Sequence, residues 1–336
     1  MIIKTRAPVR LSFGGGGTDV SPYTEDHGGC VLSAAINKYA WSTLELRRDK
    51  EIHLKDSHSK EKAYNAYDDL RYGNKLDLLT AVVKDMNKRQ KGLNLTLRGD
   101  VPPRSGLGSS ASAFVSLIGA FNQLSRDRRL TDYEVAEKAY SLERFELGNR
   151  GGRQDQYASV FGGLNFIEFK GKDFVRVNPV RISRGNLLEL EKNIVLVQVM
   201  DRQKSGDIIV DQMKSYVNGK KEVVEALHQV KVLAQEMNKS LRHGDLNRFG
   251  ELLHQGWVQK KKFSPLISNR EIDKIYSIAR RNGAIGGKIS GAGGGGHMIV
   301  YCDSGREENV VRAVTKAGGY VRSFSFDMEG LVTWEV

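Results

Sequence analysis

Val101-Pro-Pro-Arg-Ser-Gly-Leu-Gly-Ser-Ser-Ala-Ser112 stands between two segments of different period. Before it, Leu93, Leu95 and Leu97 alternate with polar residues, as in a strand with one buried face. After it, from Ser110, the residues Ala113, Phe114, Leu117, Ile118, Phe121 and Leu124 recur at helical spacing. Gly106 and Gly108 let the chain fold tightly, and Ser109 and Ser110 fall at the helix start, where unpaired N–H groups and the positive dipole end converge. Strand, bend and helix start together make an anion cradle. An ordinary glycine-rich turn with serine caps accounts less well for composition and placement agreeing.

Outward from this unit, Ile2 to Phe13, Cys30 to Asn37 and Tyr39 to Leu46 read as strands on the N-terminal side. A second helix starts at Thr131, where Thr131 and Glu134 supply a capping box, and strands resume at Leu164 to Phe169 and Phe174 to Val177. The pattern changes between Arg184 and Lys192. Beyond it come an apolar strand, Ile194 to Met200, and a helical tract from about Lys220 to Lys262. A helix, Asn269 to Arg281, precedes strands Gly287–Ser290 and His297–Cys302, a helix from about Glu307 to Ala317, and strands Tyr320–Phe326 and Leu331–Val336. A boundary near residue 190 is expected, giving domains 1–190 and 191–336, the second an α+β layer of helices on an antiparallel sheet.

The 336 residues give room for one large or two ordinary domains. Two cysteines, Cys30 and Cys302, stand far apart in no metal spacing, which argues against a disulfide framework or structural metal. No apolar run approaches the roughly 18 residues of a membrane helix, so a soluble, cytoplasmic protein is expected. Lys and Arg number 52 against 40 Asp and Glu, a net charge of +12. That raises nucleic acid, an anionic membrane or phosphorylated small molecules as partners. The basic residues are dispersed as doublets and the triplet Lys260–Lys262, which reads mostly as solvated surface.

Glycine is in excess, 36 residues, and clusters. Lys288-Ile-Ser-Gly-Ala-Gly-Gly-Gly-Gly296 formally contains G-x-G-x-x-G, but an apolar strand follows it where a dinucleotide site needs a helix. By itself it fits a strand-connecting turn at least as well as a ligand loop. Ala7-Pro-Val-Arg-Leu-Ser-Phe-Gly-Gly-Gly-Gly-Thr-Asp19 runs a strand into four glycines and a carboxylate; a surface turn and a close approach to a ligand account for it equally. Glu143 shares a helical row with Ala136, Tyr140 and Leu147, which predicts a partly buried carboxylate in want of a cation or metal. Asp155 follows glycines in Gly148-Asn-Arg-Gly-Gly-Arg-Gln-Asp-Gln-Tyr157. Both acids gain weight only in context. The seven histidines form no H-E-x-x-H pair and there is no G-x-S-x-G elbow, so zinc and serine hydrolase readings fall away.

Taken in order, these segments resemble the GHMP small-molecule kinases. The family's phosphate loop, P-x-x-x-G-L-G-S-S-A, is matched by Pro102 to Ala111, its third motif by Lys288 to Gly296 and its A-P-x-R motif by Ala7 to Arg10. S-F-x-G-G-G-T-D at Ser12 to Asp19 and Gly-Gly-Arg-Gln-Asp-Gln-Tyr at 151 to 157 are most similar to the heptose 7-phosphate kinase branch, with the fucokinase-type domain also similar. The resemblance implies an α+β, two-domain protein: an N-terminal ribosomal-protein-S5-like α/β domain that binds ATP, and a C-terminal ferredoxin-like α+β domain.

It further implies ATP and Mg²⁺ as cofactors. The donor would be held by Pro102, Ser105, Gly106, Leu107, Gly108, Ser109 and Ser110, and the metal by Ser110 and Glu143. Asp155 would stand beside the attacking hydroxyl with Arg10 as its companion cation. Asp19, Gly16, Gly17, Gln156, Gly293 and Gly294 would face the sugar. Gly16-Gly17 replace the Glu-His of galactokinase, which counts against galactose. The implied reaction is phosphorylation of the anomeric hydroxyl of a sugar phosphate, D-glycero-D-manno-heptose 7-phosphate, on the way to nucleotide-activated heptose, with another sugar 1-kinase as the alternative. Two polyanionic substrates give the positive charge a use, with no nucleic acid or membrane as partner and a homodimer compatible with the family. A basic nucleic-acid-binding protein is the reading from a different class, marked by steeply salt-dependent oligonucleotide binding without ATP turnover.

Overall fold

The computed structural model describes residues 1–57, 61–125, 128–200 and 205–336. The chain opens with β1 (Ile2–Gly14), α1 (Tyr23–His27), β2 (Gly29–Leu46), β3 (Ile52–Asp56), β4 (Lys62–Tyr64), α2 (Asp77–Met86) and β5 (Leu93–Gly99). Next come α3 (Ser109–Leu124), α4 (Asp132–Ser141), a π-helical turn (Leu142–Glu146), α5 (Gln154–Phe161), β6 (Leu164–Lys170) and β7 (Phe174–Pro179). The strands to this point form a sheet ordered β1-β2-β5-β3-β4, and β6 with β7 joins the first half of β2.

Burial explains why β1 is the spine of this sheet. Its first residues alternate, with Ile3, Thr5 and Ala7 inward, and from Ala7 onward every residue is buried. One face of the sheet packs Ile3, Ala7, Val31 and Leu44 with α2, α3 and α4 residues such as Phe114 and Val135. The other packs Val9, Leu11, Phe13 and Leu32 against Met237, Phe249 and Leu253. A strand covered on both faces reads as a continuous apolar run.

The remaining elements are α6 (Arg184–Asn193), β8 (Ile194–Met200), α7 (Ser205–Val217), α8 (Lys221–His243), α9 (Leu246–Lys260) and α10 (Arg270–Arg281). They are followed by β9 (Ala284–Ile289), β10 (Gly296–Cys302), α11 (Glu307–Lys316), β11 (Tyr320–Arg322) and β12 (Val332–Glu335). Four of these strands form an antiparallel sheet ordered β11-β8-β10-β9, with helical connections between β8 and β9 and between β10 and β11. Strand order 4-1-3-2 is the ferredoxin-like arrangement implied by the resemblance.

Several elements differ from the sequence reading. The stretches Cys30–Asn37 and Tyr39–Leu46 are one strand, β2, whose pairing with β1 slips by a bulge opposite Pro8 and Val9. The tract from Lys220 to Lys262 is two helices, because Gly244 ends α8 and the Asp245 side chain accepts the Arg248 N–H to start α9. The final strand does not extend the second sheet: β12 pairs antiparallel with β1 on the first, Ile3 opposite Glu335. No helix among the described residues is long and apolar enough to cross a membrane, and both cysteines are buried and free.

Candidate active site

The bend after β5 delivers the chain into α3 through Gly108, the N-cap, in the left-handed region at φ +78°. A Cβ there would be strained by the backbone and would also lie 3.3 Å from the Asp155 carboxylate. At Gly106 a Cβ would come within 2.8 Å of the Ser290 carbonyl oxygen. The bend is thus pressed between α5, which carries Asp155, and the end of β9. Its neighbours hold it through main-chain groups: the Arg10 N–H donates to Leu107 O at 2.9 Å, and the His297 N–H and Nδ1 donate to Ser105 O at 3.1 and 2.8 Å.

Arg10, on β1 and only 2% exposed, ties this assembly together. Its Nε and one terminal nitrogen donate to Asp155 Oδ1 at 2.9 and 2.6 Å, and the other terminal nitrogen donates to Gly106 O at 2.7 Å. Asp155 Oδ2 has no protein donor among the described residues. Because the Asp155 side chain is 23% exposed and lines the cleft, that oxygen remains available to a ligand.

The cleft has a volume of about 440 Å³ and draws on both halves of the chain: Arg10, Gly106, Gly108, Ser109, Ser110, Glu143 and Asp155 from one, Ile209, Gln212, Lys260, Gly291 and Ala292 from the other. Gly16, Gly17, Asp19 and Gln154 line it too. Asp19 is 3% exposed; it accepts the Gly17 N–H at 3.1 Å and both the N–H and side-chain amide of Gln154 at 3.3 Å. Burial raises its pKa above the usual carboxylate range, against the Gly17 bond, and the nearby Asp155 adds to the rise.

Glu143 is 5% exposed and lies in the π-helical turn that follows α4, a feature frequent at functional sites. Its Oε2 accepts from Gln156 at 2.6 Å and lies 3.3 Å from an Arg144 nitrogen, while Oε1 has no protein donor among the described residues. Among the described residues Gln156 Oε1 is itself buried without a partner. A free carboxylate oxygen sharing the cleft with the Ser110 hydroxyl is an oxygen-only donor set that suits Mg²⁺, which takes few protein ligands and completes its shell with phosphate and water.

The anticipated residues therefore divide. Arg10, Gly16, Gly17, Asp19, Gly106, Gly108, Ser109, Ser110, Glu143 and Asp155 line one cleft. Pro102, Ser105, Leu107, Gln156, Gly293 and Gly294 do not. The Leu107 side chain is in the core, Ser105 points its carbonyl at His297, and Gln156 sits behind Glu143. Gly294 donates its N–H to Ile267 O at 2.9 Å, so the glycine run turns away after Gly291 and Ala292.

Gln154, which bridges Asp19 and Ser12 Oγ, carries no mark in the sequence beyond its place beside Asp155. Lys260, read as part of a solvated triplet, is 3% exposed and donates to Gly291 O. Lys288 is equally buried and donates to Ser12 O at 2.6 Å; burial, with Lys260 and Arg10 nearby, pushes its pKa far below that of an ordinary lysine.

A glycine-rich bend at a helix start, an arginine-held carboxylate with one open oxygen and a buried glutamate suit phosphoryl transfer to a small molecule. The family models "GHMP kinases N terminal domain" and "GHMP kinases C terminal" match residues 77–163 and 237–319. Over 99% of its length the chain is 38% identical to D-glycero-alpha-D-manno-heptose 7-phosphate kinase of Campylobacter jejuni, also covering 99% of that protein. The crystal structure of a D-glycero-D-manno-heptose 1-phosphate kinase from Bacteroides thetaiotaomicron superposes with a TM-score of 0.83, 33% identity and 99% coverage of each chain. A putative sugar kinase from Campylobacter jejuni gives 0.79 at 36% identity, covering 100% of this chain and 98% of that one.

The chain belongs to the GHMP kinases. It is a sugar-phosphate kinase, a phosphotransferase acting on a sugar hydroxyl, in a family whose phosphate donor is ATP.

Proposed function

We propose that the chain transfers the γ-phosphoryl group of ATP to the anomeric hydroxyl of D-glycero-D-manno-heptose 7-phosphate, giving the 1,7-bisphosphate. The observation that carries this reading is the open Oδ2 of Asp155, held beside the phosphate bend by Arg10 on Oδ1. The 38% identity to the Campylobacter jejuni 7-phosphate kinase supports the choice of acceptor.

In this reading the sugar hydroxyl donates a hydrogen bond to Asp155 Oδ2, which orients its oxygen toward the γ-phosphorus. As the new P–O bond forms and the bond to ADP breaks, Oδ2 receives the hydroxyl proton. Arg10 keeps the carboxylate in one rotamer and fastens it to the Gly106 carbonyl, so acceptor and donor are positioned by one side chain. The bend's amides and the α3 N-terminus stabilise charge on the transferring group. Ser110 and Glu143 would hold Mg²⁺, which when bound supplies charge neutralisation across the donor's terminal phosphates. Asp19 and Gln154, which line the same cleft, would accept and donate to ring hydroxyls.

The structural relative's name, a heptose 1-phosphate kinase, favours a second reading, with transfer to the far end of a sugar already phosphorylated at C1. Incubation with ATP and, separately, heptose 7-phosphate, heptose 1-phosphate and L-fucose, followed by ADP release and phosphorus NMR, separates them. We expect turnover with the 7-phosphate and a new phosphorus signal coupled to the anomeric proton. Turnover with the 1-phosphate or fucose alone would overturn the assignment.

A further inference from the structure

The phosphate bend contains a residue that neither the motif nor the proposed chemistry uses. Arg104 lies in the left-handed region at φ +65°, where a side chain is strained and glycine is not. It lines the cleft and is exposed. Among the described residues no carboxylate, carbonyl or aromatic ring engages its guanidinium. Arg10 cannot supply the bend with a free cation, since its nitrogens are already committed to Asp155, Gly106 O and Ser290 Oγ. Glu143, on the same cleft, adds negative charge. A triphosphate entering here meets amides, a helix dipole and one uncommitted arginine on the bend itself.

We infer that Arg104 is a donor-binding residue whose guanidinium grips the ATP phosphate chain beyond the α-phosphate, and that the strained backbone is retained to aim it there. A planar fork of N–H donors suits paired phosphate oxygens. The inference rests on ATP being the donor in this cleft.

The backbone supplies the control. Arg104→Gly relieves the left-handed strain while removing the cation, and Arg104→Asn removes the cation in a residue that tolerates this conformation. Calorimetric titration of the full-length protein with ATP, ADP and AMP, in Mg²⁺ and without sugar, reads binding apart from turnover. We expect both variants to bind ATP and ADP about tenfold more weakly, the scale of one lost hydrogen bond to a charged group. AMP should bind within about twofold of wild type, and Arg104→Gly should melt no lower than wild type. The wild-type ATP affinity should also fall more steeply with added salt than that of either variant. Unchanged ATP binding in both variants, or an equal loss for AMP, would overturn the inference while leaving the donor reading intact. A wild-type protein that bound no ATP would overturn both.

Discussion

Asp155 divides its two oxygens between a permanent partner and a transient one. Replacing it by asparagine keeps shape and removes the proton acceptor, so Asp155→Asn should cut turnover by about 10² or more. ATP affinity, read by titration without sugar, should stay near wild type. Asp19 allows a second test at this scale, because its raised pKa makes the folded state bind a proton more tightly than the unfolded chain. Between the unfolded value, about 4, and the higher folded value, stability therefore falls as pH rises. Asp19→Asn lacks that dependence. The difference in melting temperature between variant and wild type should move in the variant's favour as pH is raised from about 4, and scanning calorimetry at stepped pH would show it. Single residues differ in how far sequence alone places them. That Asp155 and Glu143 share one cleft was legible because each sits in a run whose neighbours carry meaning. Lys260 and Lys288 were not, since their partners, Gly291 O and Ser12 O, lie 31 and 276 positions away.

At the level of elements, local chemistry was read well where it is local. The capping box at the start of α4 is present as expected, with Thr131 accepting the Glu134 N–H and the Glu134 carboxylate reaching back to Thr131 N at 2.9 Å. It lies on an exposed helix start, so Thr131→Ala should lower stability by about 1 kcal/mol in denaturant titration and leave turnover unchanged. The third glycine motif shows the opposite case. Composition cannot say which glycines of a run face a ligand. That was decided by the Ile267 carbonyl, which takes the Gly294 N–H and turns Gly293 and Gly294 off the cleft. The π-helical turn that holds Glu143 was equally invisible, because Leu142–Glu146 carries an ordinary helical pattern.

Across the whole molecule, the cleft exists because the two sheets meet at the phosphate bend. The change of pattern near residue 190 falls within α6, just before the first strand of the second sheet; the return of β12 to the edge of β1 was not legible, since four residues carry no mark of which sheet they join. Lys288 reports on the meeting directly. Its folded pKa lies far below the unfolded value, so the unfolded chain binds more protons in the window between them and stability rises with pH there. Lys288→Met removes this dependence. Between pH 7 and 10 the melting temperature of wild type should climb relative to the variant; parallel curves would mean that the amine is charged in the folded protein.

Three contacts across the junction are unequal in what they ask of each side. Lys288, His297 and Gln212 reach from the second part of the chain onto the carbonyls of Ser12, Ser105 and Gly17. A peptide oxygen is supplied by any amino acid, whereas a side-chain donor of given length is not. In a saturation library the receiving positions should accept exchange as far as their own side chains allow, and the three giving positions should resist it. At these three contacts the receiving residues can thus drift while the giving ones stay fixed.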